Sequence, residues 1–61
     1  MEAKKLWRGR WRESLFLVKE DGLYQVCEDK WNDAGHHVDK LYHSRSLDEA
    51  TDWAERKDED A

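Results

Sequence analysis

The stretch LFLVKEDGLYQVCEDKWNDAGHHVDKLYH, residues 15–43, contains three segments of β preference separated by two turn signals. The turn signals lie at 20–22 and 32–35, and each contains a glycine, Gly22 or Gly35, that can adopt a positive φ at no steric cost. The segment 15–19 is rich in β-forming side chains, and the segment 23–31 alternates with a period of two. The third segment, 36–43, is more polar. Three strands joined by short turns predict an antiparallel meander.

Downstream of this stretch, Ser46 and Glu49 form the capping-box pattern of a helix start, in which the serine caps one backbone N–H and the glutamate reaches back to another. The apolar positions that follow lie on one stripe at about 100° per residue and predict an amphipathic helix that ends near Lys57. These positions are Leu47, Ala50, Trp53 and Ala54. The predicted fold class is α+β, a three-stranded antiparallel meander with one C-terminal helix packed on one face.

This fold predicts a core that combines one face of each strand with the helix stripe. Its expected members are Phe16, Val18, Tyr24, Val26, Val38, Leu47, Ala50, Trp53 and Ala54. Leu15 and Leu17 replace Phe16 and Val18 if the other face of the first strand is buried.

The N-terminal segment has two interpretations. As a strand it places Trp7, Gly9 and Trp11 on one face, whereas as a helix it aligns Trp7 and Trp11 with Leu15 and Val18. Gly9 costs a helix about 1 kcal/mol relative to alanine. An extended strand from about Leu6, with a bulge near Glu13 where the alternation breaks, is therefore the preferred prediction.

Length and composition restrict the class of protein. The chain has 61 residues and a mass of 7.4 kDa, with 43% charged and 38% hydrophobic residues and no proline, which excludes collagen-like and proline-rich classes. One domain is predicted over 1–57, followed by an acidic disordered tail over 58–61. The longest apolar run, 15–18, is too short for a membrane span, and no secretory signal is recognised at the N-terminus. The single cysteine, Cys27, favours a reducing, cytoplasmic location.

The net charge of −4 is unevenly distributed along the chain. Residues 1–19 carry six basic and two acidic side chains, and residues 20–61 carry five basic and thirteen acidic ones. This asymmetry is typical of a nucleic-acid contact at one end of the chain. The alternative is intramolecular, with a basic strand beside an acidic helix.

The order of a turn glycine, a polar strand and then Ser46-x-x-Glu49-Ala50-x-x-Trp53 resembles the arm-type DNA-binding domain of tyrosine recombinases. The resemblance covers about residues 15–57, and its specific part is the eight positions 46–53. It implies a three-stranded sheet packed on one helix and a surface that reads DNA with basic side chains on the sheet. The chain departs from this pattern at Glu28, Asp29 and Asp39, and the catalytic domain expected of a recombinase is not among its 61 residues.

The segment 4–12 interleaves cations with aromatic rings and is the candidate nucleic-acid surface. Its candidate residues are Lys4, Lys5, Trp7, Arg8, Arg10, Trp11 and Arg12. Arginine and lysine neutralise phosphates, and tryptophan stacks on unpaired bases. The alternative is an edge strand whose tryptophans pack in the core while its arginines face solvent.

A second candidate is a protein-interaction surface, because four tryptophans and two tyrosines are many for a chain with one helix. Its candidate residues are the exposed aromatics Trp31 and Tyr42 with the helix acids Asp48, Asp52 and Glu55. The same aromatics could instead fill the core of a small domain. A homodimer that joins sheet faces or edges would satisfy both interpretations.

Metal binding and catalysis are not expected. Cys27, His36, His37 and His43 are zinc-ligand types, but adjacent strand histidines point to opposite faces and no paired-ligand spacing occurs. A small sheet with one helix offers little room for a water-excluding pocket. We therefore predict no cofactor, no metal and no enzymatic activity.

The functional prediction is a small non-enzymatic binding module of the kind that phages and mobile elements encode, contacting DNA or RNA. The alternative is a protein-interaction or inhibitor module that uses its acidic helix and exposed aromatics, as a monomer or as a homodimer. A third option is a dimeric structural protein with no ligand, and no membrane contact is expected. Charge location discriminates between the first two. Arginines and exposed tryptophans that share a face away from the helix acids favour nucleic acid. An unbroken acidic surface on the helix, with Arg8, Arg10 and Arg12 paired within the chain, favours a protein partner.

Overall fold

The computed structural model describes residues 4–60 as one four-stranded antiparallel sheet with a single helix on one face. The elements are β1 Lys5–Arg8, β2 Leu15–Glu20, β3 Leu23–Asn32, β4 Gly35–Ser44 and α1 Leu47–Glu59, and the strand order is β1-β2-β3-β4. The predicted α+β class, with a meander followed by a C-terminal helix, is confirmed, but the predicted number of strands was wrong. In this part of the chain no helix is long and apolar enough to cross a membrane.

The additional strand arises because the N-terminal segment folds back on itself. The single extended strand predicted from Leu6 past Glu13 is interrupted by a loop over residues 9–14, which we call the arginine loop. β1 then pairs antiparallel with β2, with Trp7 opposite Leu17, and the irregularity in this ladder lies at the beginning of β1 rather than near Glu13. The loop is closed by a hydrogen bond from the backbone N–H of Gly9 to the carbonyl oxygen of Leu15 at 2.7 Å.

Both predicted turns are confirmed. Asp21 and Gly22 have φ values of 52° and 78°, the two positive angles of the type I′ turn that matches the twist of a β-hairpin. In the second turn Gly35 has a φ of 123°, and the side-chain oxygen of Asn32 accepts a hydrogen bond from the Ala34 N–H at 2.8 Å. These local signals fix the register of β3 against both of its neighbours.

The helix covers the face of β2 that carries Leu15 and Leu17, not the face that carries Phe16 and Val18. The fully buried helix-side core consists of Leu15, Leu17, Val26, Ala50 and Ala54, with Trp7, Tyr24, Leu41, Tyr42 and Trp53 packed against it. The predicted core positions Tyr24, Val26, Ala50, Trp53 and Ala54 are therefore confirmed. Val38 and Leu47 were assigned to the core wrongly, since they are 44% and 41% exposed.

The opposite side of the sheet, which we call the open face, is not covered by a helix. Phe16, Val18 and Cys27 are nevertheless buried there as a second apolar cluster. The Lys5 ammonium lies 4.7 Å from the centre of the Phe16 ring, a cation–π contact in which a long polar side chain shields an apolar one. Both faces of β2 are therefore buried, which explains its uninterrupted apolar sequence.

The helix begins at the predicted cap and ends later than predicted. Ser46 accepts a hydrogen bond from the Glu49 N–H at 3.3 Å, but the Glu49 carboxylate accepts a hydrogen bond from the Tyr42 hydroxyl, so only the serine half of the capping box is formed. The helix continues past Lys57 to Glu59, and Asp58, which we assigned to a disordered tail, is buried. Residues 1–3 of the predicted domain and Ala61 of the predicted tail lie outside the described residues.

Candidate interaction surfaces

The end of the helix is joined to the arginine loop by one carboxylate. Asp58 accepts hydrogen bonds from the backbone N–H groups of Arg10 at 2.9 Å, Trp11 at 3.0 Å and Arg12 at 2.7 Å. Successive backbone N–H groups that converge in this way form a concave anion site. In this chain an internal carboxylate fills that site and fixes the loop.

The charge state of Asp58 follows from these contacts. Burial by itself would raise the pKa of this carboxyl, but the three backbone hydrogen bonds and the charge of Arg12 outweigh burial and lower the pKa below its ordinary value. Gly9 is required for the same arrangement, because a Cβ at this position would lie 2.0 Å from the Arg12 carbonyl oxygen and 2.9 Å from the Asp58 carboxylate. The loop can therefore close over Asp58 only if residue 9 has no side chain.

The residues predicted to bind nucleic acid do not form one surface. Lys4 is exposed before β1, Lys5 lies over Phe16 on the open face, and Trp7 packs against the helix-side core. The Arg12 guanidinium lies 3.5 Å from the carboxylate of Glu28, a residue that is only 8% exposed. The segment is divided between both faces of the sheet and the end of the helix.

The remaining cations of the segment lie beside helix acids. Arg8, Arg10 and Trp11 line a groove of about 270 Å³ together with Glu55, Asp58 and Glu59. Trp11 is 70% exposed, and the Arg10 guanidinium lies 5.9 Å from its ring centre. Of the three arginines that the charge criterion concerns, Arg12 forms an ion pair within the described residues, whereas Arg8 and Arg10 line the groove beside the helix acids.

The most exposed large aromatic side chain lies on a projecting hairpin. β2 begins at Leu15 opposite Glu28, so residues 30–37 of β3 and β4 pair only with each other. We call residues 29–39 the hairpin tip. Trp31 on this tip is 76% exposed and stacks on His36, with ring centres 4.2 Å apart and an interplanar angle of 27°.

His36, on which the Trp31 ring stacks, makes a contact of its own with Asp29. The Nε2 atom of His36 lies 2.9 Å from a carboxylate oxygen of Asp29, on the same face of the hairpin. The carboxylate fixes the imidazole, and the imidazole supports the indole. The result is an exposed aromatic ring that is supported on one face by the imidazole.

The other predicted protein-contact residues are on the helix side. Tyr42 stacks on Trp53 with ring centres 5.0 Å apart and an interplanar angle of 4°, so its ring supports the helix-side core. The hydrogen bond to Glu49 raises the pKa of Tyr42 above its ordinary value. Asp48 and Glu55 are exposed on the helix, and Asp52 pairs with Arg56 at 3.1 Å.

The predicted zinc-ligand types do not converge. Within residues 4–60, no three histidine, cysteine, aspartate or glutamate side chains are grouped so that they could hold a metal ion. His37 instead lies 3.4 Å from the Asp39 carboxylate, on the other face of β4 from His36. Burial raises the pKa of the Cys27 thiol, which keeps the thiol protonated and poorly nucleophilic.

Two contributions to these surfaces were not predicted from the amino-acid sequence. His36 and Asp29 were not connected with Trp31, although a two-residue turn at 33–34 places residue 36 opposite residue 31. That relation was available from the hairpin register alone. Asp58 was missed for another reason, because its partners lie 46 to 48 residues away in the chain and no local pattern marks them.

Comparison with protein-family models, with curated proteins and with solved structures finds no match to this chain. The likeness to the arm-type domain of tyrosine recombinases stays a prediction that rests on residues 46–53.

Proposed function

We propose that this chain is a small non-enzymatic protein-interaction module that contacts its partner through the hairpin tip. The observation that supports this most is Trp31, which is 76% exposed and is supported by His36 and Asp29 rather than by the core. Tryptophan is enriched among the residues that dominate binding energy in protein interfaces. A ring that is already supported on one face loses less conformational entropy on binding than an unsupported one.

The charge of this surface defines the partner. The hairpin tip carries three aspartates and one lysine, and the helix carries six acidic and two basic side chains. Phosphates would be repelled by both elements, whereas a basic protein surface would be attracted. The proposed partner is therefore a basic protein with an apolar recess that accepts the indole of Trp31.

Matched tryptophan variants test this proposal. Photo-crosslinking from position 33, an exposed residue of the hairpin tip that leaves Trp31 in place, would identify the partner in an extract of the source cells. The purified partner would then be titrated with the wild type, Trp31→Ala and Trp11→Ala. Because both tryptophans are highly exposed, neither substitution should reduce stability. Trp31→Ala should weaken binding by about 30-fold, as expected for a central aromatic contact, and Trp11→Ala should leave it unchanged.

A nucleic-acid function would give a different result in a parallel titration. Single- and double-stranded oligonucleotides would be added at low and high salt while tryptophan fluorescence is recorded. Saturable quenching that weakens steeply with salt and is lost in Trp11→Ala would contradict the proposal and favour the arginine loop as a phosphate-binding surface. Equal weakening of partner binding by both tryptophan variants would also contradict it.

A further inference from the structure

The outer edge of β4 is open. β4 is the last strand in the sheet order, and no strand pairs with its outer edge in residues 4–60. Its first four residues, Gly35, His36, His37 and Val38, are all exposed. An edge strand presents unpaired backbone N–H and C=O groups, and these can accept a strand from another chain.

The side chains of β4 show which strand fits this edge. We propose that β4 pairs antiparallel with β4 of a second copy of this chain, about a two-fold axis at Val38. In that register Val38 faces its own copy, and His37 of each chain lies opposite Asp39 of the other. Because directly opposite residues of an antiparallel pair share a face, the two His37–Asp39 pairs form on the helix side of the joined sheet.

Neighbouring registers are disfavoured by charge. An axis at Asp39 places two carboxylates opposite each other, and an axis at Lys40 places two ammonium groups opposite each other. Like charges directly opposite across a strand pair are destabilising. An axis at His37 pairs two histidines and leaves Asp39 opposite Gly35, without a basic partner. Among the four axes from 37 to 40, only the one at Val38 gives an apolar pair flanked by two acid–base pairs.

The form of both sheet edges limits the assembly to a dimer. The β3–β4 ladder has an irregularity where Leu41 is inserted between the residues opposite Val26 and Cys27, which limits the regular edge to 35–40. The opposite edge, β1, has four residues and its own irregularity. The β4 edge is long enough to pair with a second copy, whereas the β1 edge is short and irregular. Pairing of two β4 edges therefore gives a closed dimer, and the exposed β1 edges do not extend it into a fibre.

The small size of the described domain, residues 4–60, supplies an independent reason for pairing. Domains below about 70–80 residues rarely obtain sufficient stability from one core, and they add disulfides, metals or a second copy. A single cysteine cannot form an internal disulfide, and Cys27 is buried in the open face. Joining two sheets along β4 would extend one sheet through both chains without changing either core.

Sedimentation equilibrium over a series of concentrations tests this inference. The wild type should approach twice the chain mass of 7.4 kDa as concentration rises. In a His37→Glu dimer, each new glutamate carboxylate lies opposite the Asp39 carboxylate of the other chain. In an Asp39→Lys dimer, both Asp39 carboxylates are replaced by ammonium groups opposite His37. Each variant alone should therefore raise the dimer dissociation constant by about tenfold or more. In the wild type the side chains of His37 and Asp39 are 51% and 45% exposed, so both substitutions should be tolerated by the fold. Thermal unfolding would verify that both variants fold.

Mixing the two variants gives the decisive measurement. In a mixed pair the carboxylate introduced by His37→Glu in one chain lies opposite the ammonium group introduced by Asp39→Lys in the other. The second pair retains Asp39 opposite His37, so the mixture should recover the dimer that neither variant forms alone. Asp52→Lys, an exposed charge change on the helix, is the matched control and should remain dimeric.

Three results would overturn the inference. They are a wild type that is monomeric at every concentration, a dimer that neither variant affects, and a mixture that fails to associate. Trp31→Ala should remain dimeric, so this test is independent of the proposed partner contact.

Discussion

The carboxylate of Asp58, near the end of the helix, accepts the backbone N–H of Arg12 at 2.7 Å and thereby joins the helix to the loop between the first two strands. Two further N–H groups, from Arg10 and Trp11, bind the same carboxylate. These contacts close the fold, because they hold together segments that are far apart in the chain. They also place Arg10 and Trp11 in the groove that Glu55 and Glu59 line.

Asp58→Asn should destabilise the protein, and the loss should depend on pH. The amide of asparagine keeps one acceptor oxygen but places an NH₂ group against backbone donors, so at least one hydrogen bond is lost and the melting temperature should fall by roughly 10 °C. Because the folded-state pKa of Asp58 lies below the unfolded-state value of about 4, its contribution is complete above that pH and is lost as pH falls through the folded-state pKa.

The measurement for Asp58 is the difference in denaturation midpoint between the wild type and Asp58→Asn from neutral to acidic pH. The difference should be constant near neutrality and should shrink below about pH 4. Glu59→Gln, an exposed neighbour on the same turn, serves as the control and should show little difference at any pH. Parallel curves for the wild type and Asp58→Asn would contradict the role assigned to this carboxylate.

Gly9→Ala should destabilise the protein by about 2 kcal/mol or more, because the new methyl group would overlap the Arg12 carbonyl oxygen at 2.0 Å and force the arginine loop open. The comparison is Gly22→Ala, where no atom lies within 4 Å and only the positive φ of 78° opposes alanine. That change should cost about 1 kcal/mol. Urea unfolding measures both, and a cost for Gly9→Ala that is no larger than that for Gly22→Ala would be inconsistent with the close approach.

Leu17→Ala should cost about 3 kcal/mol, because Leu17 is fully buried beneath the helix and its removal leaves a cavity. Val38→Ala should change stability by less than about 0.5 kcal/mol, since Val38 is 44% exposed at the edge of the sheet. Denaturant unfolding should be carried out at a concentration where the oligomeric state of each variant is known. Similar costs for the two substitutions would argue against the assignment of Leu17, rather than Val38, to the core.

Trp53→Ala should cost about 2–4 kcal/mol, because the ring is partly buried against the helix-side core and stacks on Tyr42 at 5.0 Å. Trp53→Phe keeps an aromatic ring at the stacking position and should recover part of this loss. Thermal unfolding with circular dichroism compares the three proteins. A stable Trp53→Ala variant with near-normal unfolding would remove Tyr42 and Trp53 from the account of how the helix is anchored.

Cys27 should react slowly with a thiol reagent in the folded protein and rapidly in denaturant. The side chain is 3% exposed, and burial raises the pKa of the thiol, so both access and thiolate concentration are low. The absorbance of the chromophore that an aromatic disulfide reagent releases measures the reaction rate of Cys27 in the native and in the denatured protein. Rapid stoichiometric reaction of the native protein would contradict the burial of Cys27 on the open face.

Local signals predicted much of this architecture. The dipeptide Asp21-Gly22 has the two positive φ angles of a tight hairpin turn, and Ser46 begins the helix where the capping pattern indicated. Each of these features depends on residues within a few positions of one another. Such interactions compete only with alternatives in the same segment, and sequence reasoning therefore identifies them correctly.

The prediction of the core was less accurate because β2 is apolar on both faces. Leu15 and Leu17 alternate with Phe16 and Val18, so the pattern alone does not reveal which pair the helix covers. The choice follows from where the chain leaves β4 to form the helix. Val38 was misassigned for a related reason, since it lies on the open face, outside the part of the sheet that the helix covers.

In the candidate surfaces, too, contacts between neighbouring residues were predictable from the sequence and contacts between distant residues were not. An exposed tryptophan was anticipated at Trp31, and the hairpin register could have added His36 as its support. The arginine-rich segment was predicted as one surface, whereas the loop, the ion pair with Glu28 and the contact with Asp58 distribute its members. None of these partners lies near the segment in sequence.

The α+β class, the two turns with Gly22 and Gly35, and the start of the helix at Ser46 follow from short-range backbone preferences and hydrogen bonds, and they can be predicted from the amino-acid sequence. The reversal of the N-terminal segment into a fourth strand and the burial of Asp58 depend on contacts between distant parts of the chain. A buried carboxylate is stable only where several donors converge on it. Those donors are brought to Asp58 only when the helix has packed across the sheet.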